Sequence, residues 1–355
     1  MWFESDNGGP VAPAVMAALA AANDGPAPAY GADALTAGAL ARIRAAFEAP
    51  AAAVHLVATG TAANALALGC LCPPWGTVYC HAAAHIATDE CGAPEFYTGG
   101  AKLRLLEGPS GKFSPGDLAR AIDATAPAGV HNTQPAAVSI TNPTEAGAVW
   151  TPGEVAAIAS VAHQAGLRLH MDGARLANAL ARLGCSPADL TWRAGVDVLT
   201  LGGTKNGLMG AEAVILFDPG LGQEFALRRK RGGHLPSKMR YLAAQFDAWL
   251  ADGLWLRLAA HANAMAQDLA RGLAAAGHPP LHPVDANMVF AAMPRRVHRA
   301  LRAAGARYLF WPGDPPEAGA EDEPLMCRLV CSPATRREEV AAFLAALSRA
   351  GDARA

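Results

Sequence analysis

Two apolar runs, each stopped by a polar turn that contains glycine, constrain this chain more than any other feature. Leu167–Met171 ends at Asp172-Gly173, and Val196–Leu201 ends at Gly202-Gly203-Thr204-Lys205-Asn206-Gly207. Short, predominantly apolar runs bounded by turn residues are the pattern of strands in a buried parallel sheet. Asp172 and Lys205 stand 205 − 172 = 33 residues apart, which matches one strand–helix–strand crossover of about 30 residues. Such a crossover returns the chain in the same direction, so both side chains emerge at one edge of the sheet. The carboxyl ends of parallel strands are where open α/β sheets bind ligands. A carboxylate and a lysine meeting there form either a simple ion pair or the two anchors of pyridoxal phosphate (PLP). In the second case the lysine bonds to the aldehyde and the aspartate to the pyridine nitrogen.

Other runs extend the sheet. Strands are expected at His55–Thr59, Thr77–His81, Leu103–Leu106, Ala137–Thr141 and Ala213–Phe217, with helices such as Thr151–Gln164 and Arg175–Arg182 between most of them. Seven strands with intervening helices specify an α/β fold with a mostly parallel, doubly wound sheet. Ahead of it lie a short helix near Ala12–Asn23, broken by Pro26 and Pro28, and a helix near Ala34–Phe47. A long helix from about Ser237 to Ala275, interrupted near Asp252-Gly253, leads out of the sheet region. The remainder alternates as strand Asn287–Met293, helix Arg295–Ala303, strands Tyr308–Trp311 and Met326–Cys331, and helix Thr335–Ser348, with an exposed loop over Pro312–Pro324. The expected division is an N-terminal arm over 1–30, a large α/β domain over 31–245 and a small α+β C-terminal domain over 246–355.

Composition narrows the partners. With a formal net charge of −2 the chain is not built for nucleic acid or an anionic membrane. Seven cysteines, an odd number without a scaffold pattern, fit reduced thiols and a cytoplasmic location. The start, MWFESDNGG, lacks the basic and apolar regions of a secretory signal. No Asp, Glu, Lys or Arg occurs between Glu48 and Asp89, yet Gly60-Thr61, Asn64, Pro73-Pro74 and three histidines break that stretch. Buried strands and a helix account for it better than a membrane span.

Several constellations carry chemistry. Gly60-Thr61 lies between a strand and a helix start, where free amides and the helix dipole suit a phosphate; an ordinary Thr-containing cap is the bland alternative. His81, His85, Asp89 and Glu90 cluster, with Cys72, Cys80 and Cys91 nearby, but no zinc spacing is matched and no metal is expected. A histidine at a strand end in a cleft can instead lie on a flat ring and exchange protons near neutrality. Arg228–Arg240 is the one dense basic patch, fit either to surround a single phosphate or to be a solvated loop. Arg328, inside the apolar run MCRLVC, needs an anion, either a substrate carboxylate or a structural one.

Taken together, Gly60-Thr61 with Asn64, His85 with Glu90, His131 with Asn142, HMDGAR at 170–175, GGTKNG at 202–207, the basic cluster and Arg328 resemble the L-threonine aldolases. The likeness is to the low-specificity and phenylserine aldolase branch of the fold-type I PLP enzymes, and it spans nearly the whole chain. It implies a fold-type I large domain and PLP as cofactor. Lys205 would carry PLP covalently, Asp172 would partner its pyridine nitrogen and His85 would stack on its ring. Gly60 and Thr61 would hold the phosphate, aided by Lys230 or Lys238 from a neighbouring subunit. Ser5, Arg175 and Arg328 match the binders of the substrate carboxylate, and His131 matches a second active-site histidine. One departure is Glu4-Ser5-Asp6 where familiar members carry Arg-Ser-Asp, which leaves the arm's role less defined.

The implied reaction is retro-aldol cleavage of L-threonine, L-allo-threonine or a relative such as phenylserine, a β-hydroxy-α-amino acid, to glycine and an aldehyde. His85 or His131, directly or through water, is the expected base. A β-eliminating PLP lyase shares Lys205 and Asp172 and is the close alternative; a non-catalytic binding protein on the same scaffold is the distant one. The resemblance also implies a homo-oligomer, a dimer with shared sites or a tetramer built from two such dimers.

Overall fold

The computed structural model describes residues 1–316 and 318–352. Glu317 of the expected loop and the last three residues of the expected small domain lie outside these. The seven expected strands form one sheet: β1 (Ala53–Val57), β2 (Gly76–His81), β3 (Lys102–Leu106), β4 (Gln134–Thr141), β5 (Arg168–Gly173), β6 (Val198–Gly202) and β7 (Glu212–Leu216), in the order β1-β7-β6-β5-β4-β2-β3. Strands β2 to β6 pair in parallel, and only β7 runs against both neighbours. The first strand ends two residues earlier than expected, because the Thr59 side chain leaves the sheet to cap the helix Gly60–Leu71.

Alternating residues along each strand point into separate cores on the two faces. Leu169, Met171, Leu199, Leu201 and Ile215 pack on one face. Val198, Val214 and Leu216 pack on the other, beneath Ala63, Leu66 and Ala67 of the helix Gly60–Leu71. Since side chains alternate with period two, Asp172 shares the second face and lies under that helix.

A three-stranded antiparallel sheet, β8 (Met288–Pro294), β9 (Leu309–Phe310) and β10 (Pro324–Val330), forms the second unit. The long helix is broken as the sequence suggests, into Arg240–Leu250 and Leu254–Ala275, with Asp252 and Gly253 both at positive φ. The second of these helices contributes to both hydrophobic cores. Trp249, Trp255 and Ala259 belong to the large core, whereas Met265, Leu269 and Leu273 join Val289, Leu329 and Phe343. The N-terminal arm is not free-standing either. Phe3 is buried in that second core, its amide donates to the Arg307 carbonyl at 2.7 Å, and its carbonyl accepts from Val330. Farther on, Ala12 donates to the Gly207 carbonyl at 2.9 Å and so ties the arm to the turn that carries Lys205. Among the described residues no helix is long and apolar enough to cross a membrane.

Candidate active site

The two turns read from the sequence touch one another. Strands β5 and β6 are parallel neighbours with Asp172 beside Thr200, so Asp172 and the Lys205 turn leave the sheet at the same edge. A Cβ on Gly202 would lie 2.4 Å from the Ala174 carbonyl oxygen and 2.5 Å from its Cα. Glycine there is a packing requirement: it lets the DGA and GGT turns close on each other. Lys205, half-buried, sits in the single 3-10 turn Thr204–Asn206.

Glu212 holds that turn from behind. Its two oxygens accept from the Gly203 amide at 2.9 Å and the Thr204 hydroxyl at 2.6 Å. Burial pushes the Glu212 carboxyl up to about 7, against the pull of these hydrogen bonds and of the Lys205 charge. A carboxyl raised in the folded state keeps its proton after the unfolded chain has lost its own. Stability should therefore fall as pH rises from about 4.5 to about 7, by about 3 kcal/mol for this group. Glu212→Gln should flatten that decline in urea unfolding between about pH 5 and about pH 8; an unchanged slope would remove Glu212 from this account.

Asp172 is 2 % exposed, and both of its oxygens accept: Oδ1 from the Ala174 amide at 2.9 Å, Oδ2 from the Asn64 side chain at 2.8 Å. His85 opens the short helix His85–Thr88 just beyond β2, the second strand away from β5. Its Nδ1 meets Glu90 Oε1 at 2.8 Å. That hydrogen bond holds the imidazole above its usual range, with Asp172 adding to the effect and burial opposing it.

Gly60 and Thr61 begin the helix Gly60–Leu71. Thr59 takes up the amides of Ala62 and Ala63, through its hydroxyl and its carbonyl. The amides of Gly60 and Thr61 have no partner among the described residues, and a Cβ on Gly60 would meet nothing within 4 Å. A helix N-terminus with two free amides facing open space fits a phosphate. Together with a buried carboxylate and a lysine at the adjoining strand ends, this donor set matches PLP. Among the described residues no group of three His, Cys, Asp or Glu side chains could hold a metal ion.

The cationic residues divide. Arg175, expected to bind a substrate carboxylate, already grips Asp6 of the arm through two nitrogens, Nε at 2.6 Å and Nη2 at 2.9 Å. Asn287 supports the same carboxylate at 3.0 Å. Asp6 thus pins the arm over the site, and Ser5 beside it turns its hydroxyl to the Asn7 amide. Arg328 has no carboxylate in hydrogen-bonding contact among the described residues. It lies over the Trp311 ring at 5.1 Å, and its buried Nε lacks a partner. Burial and the neighbouring Arg175 both depress its pKa, while Glu145, Asp6 and Asp89 work the other way.

Not every expected residue arrives. His131 is exposed and precedes β4, at the edge of the sheet opposite to Asp172, so within one chain it does not join the cluster. Lys230 lies over the Tyr30 ring at 4.8 Å and Lys238 is exposed; neither contacts Gly60 or Thr61 of its own chain. Conversely, Glu145 was missed. It follows β4 on the loop after Thr141 and shares its electrostatic surroundings with Arg175, Lys205, Asp172 and His85, its carboxyl raised mainly by burial. The one sequence signal for it was an acidic residue just past a strand end in NPTEAG.

Comparison with known proteins identifies relatives and a family. The low specificity L-threonine aldolase of Pseudomonas aeruginosa is 44% identical over 339 residues, which cover 95% of this chain and 94% of that protein. A second protein of that name, from Pseudomonas sp. (strain NCIMB 10558), is 45% identical over 307 residues, 86% of this chain and 88% of its own. The structure of Leishmania major threonine aldolase superposes with a TM-score of 0.91 at 30% identity, over 99% of both chains. The family model described as beta-eliminating lyase matches residues 3–295. The chain belongs to the beta-eliminating lyase family.

Proposed function

We propose that the protein is a PLP-dependent aldolase that cleaves L-threonine, L-allo-threonine or related β-hydroxy-α-amino acids to glycine and an aldehyde. The observation that carries this reading is the meeting of Asp172, Lys205 and His85 at one sheet edge beside an arginine, Arg328, that lacks a carboxylate partner among the described residues. When bound, PLP supplies the electron sink for carbon–carbon cleavage. Lys205, at the end of β6, would anchor the cofactor through its amine. Asp172 would partner the pyridine nitrogen. Gly60 and Thr61 would hold the phosphate through their amides. Arg328 takes the α-carboxylate, with Ser5 and the remaining nitrogen of Arg175 at hand. His85 removes the β-hydroxyl proton, directly or through water.

A homodimer completes this scheme, with Lys230 or Lys238 reaching a neighbour's phosphate, and dimers pairing into a tetramer. His131, exposed in its own chain, enters the reaction only if a second copy presents it. Seven free cysteines support a cytoplasmic setting.

Purified, PLP-loaded protein should release glycine and aldehyde in equal amounts from L-threonine, L-allo-threonine and phenylserine. Pyruvate from L-serine or from a cysteine conjugate, without glycine from any of the three, would overturn the reading in favour of β-elimination. Arg328→Ala should weaken glycine binding about tenfold or more, since losing one partner of a desolvated charge pair costs about 2–5 kcal/mol. Unchanged affinity in a spectral titration would make Arg328 structural.

A further inference from the structure

One side chain joins the two halves of the site. Asn64, one turn into the helix Gly60–Leu71, gives its amide nitrogen to Glu90 Oε1 at 2.9 Å and to Asp172 Oδ2 at 2.8 Å. Glu90 Oε1 in turn faces His85 Nδ1 at 2.8 Å. Asn64 is 2 % exposed and Glu90 4 %, so the chain His85–Glu90–Asn64–Asp172 runs through the interior. An uncharged NH₂ group can bond two carboxylates at once without placing a cation between them. Asn64 Oδ1 and Glu90 Oε2 have no partner among the described residues, so nothing else there fixes the amide or the carboxylate.

We propose that Asn64 and Glu90 are positioning residues that join the His85 ring and the Asp172 carboxylate into one hydrogen-bonded unit. The assignment rests on the PLP-dependent reading above. With Nδ1–H given to Glu90, His85 has its ring orientation fixed and leaves Nε2 for the reacting side. His85 faces Glu90, Asp172 and Lys205, with Glu145 also within electrostatic reach. Glu90 faces His85, Asn64 and Asp172; burial raises its carboxyl, and the bonds from His85 and Asn64 lower it. Removing the Asn64 donor therefore favours protonated Glu90, which withdraws the charge that supports the imidazolium. Loss of the same donor also loosens Asp172, which would partner the pyridine nitrogen.

The test compares PLP-loaded wild type with Asn64→Leu, Glu90→Gln and the double variant. Two quantities are measured: the PLP dissociation constant and the acid-side pH midpoint of kcat/KM for a β-hydroxy amino acid. Asn64→Leu should bind PLP about tenfold more weakly, and both single variants should move the midpoint down by about one pH unit. Because both act through one connection, the double variant should shift the midpoint no further than the larger single shift. Asn64→Ser, which loses at least one of the two N–H donors without adding bulk, carries the same expectation if leucine prevents folding. A folded Asn64 variant with wild-type PLP affinity and midpoint, or single shifts that simply add, would overturn the assignment. A wild-type protein that neither binds PLP nor releases glycine would overturn the functional reading beneath it.

Discussion

Lys205→Ala should reduce steady turnover by about 10³-fold or more, the scale expected when an essential proton-transferring and bond-forming group is lost. The structure gives this variant few other consequences. Lys205 occupies a 3-10 turn held by Glu212 through the Gly203 amide and the Thr204 hydroxyl, and neither contact involves the lysine side chain. The neighbouring Asn206 is fixed separately, donating to the Trp255 carbonyl at 2.8 Å and accepting at its own carbonyl from Trp249 at 2.9 Å. The turn should therefore persist. PLP should still bind non-covalently at Gly60, Thr61 and Asp172, so the variant should separate retention of the cofactor from turnover. A Lys205→Ala protein with half the wild-type rate would show that the lysine at this strand end is an ordinary ion-pair residue.

Asp172→Asn should be nearly as damaging, for two separable reasons. The amide keeps the shape but removes the negative charge expected to hold a proton on the pyridine nitrogen, and loss of such electrostatic support costs about 10²–10³-fold in rate. It also disturbs a fully used acceptor. Both Asp172 oxygens receive N–H donors, from Ala174 and Asn64, and an asparagine has only one oxygen to offer. Whichever way it flips, an NH₂ group faces another N–H, at a cost of about 1–3 kcal/mol. The apo-protein should melt lower as well as the holoenzyme turning over more slowly. A variant with wild-type rate would show that Asp172 does not act on the cofactor.

The sheet was legible because its central strands are buried on both faces. Val198–Gly202 and Glu212–Leu216 are buried at every position, and such strands stand out as apolar runs between turn residues. The pairing of Asp172 with Lys205 was legible for a related reason, since crossover length and chain direction fix the edge at which both emerge. Boundaries were less so: Thr59 reads as strand until its role as a helix cap is seen, and β9 is too short at two residues to carry a pattern. What the sequence hides is tertiary coincidence. Asp6 and Arg175 are 169 residues apart and still form the bidentate pair that seats the arm. Nothing local marks Arg175 as already engaged, or Glu145 as a neighbour of Lys205. The separation of His131 from the cluster follows from which end of β4 it occupies, and resemblance by residue order carries no such information.

Lys205, at the end of β6, is the residue proposed to hold the cofactor. Borohydride reduction of the PLP-loaded protein, followed by proteolysis and mass spectrometry, tests this most directly. The phosphopyridoxyl group should be found on Lys205 alone, at about one per chain. Label on Lys230 or Lys238 with Lys205 unmodified would place the cofactor's anchor elsewhere.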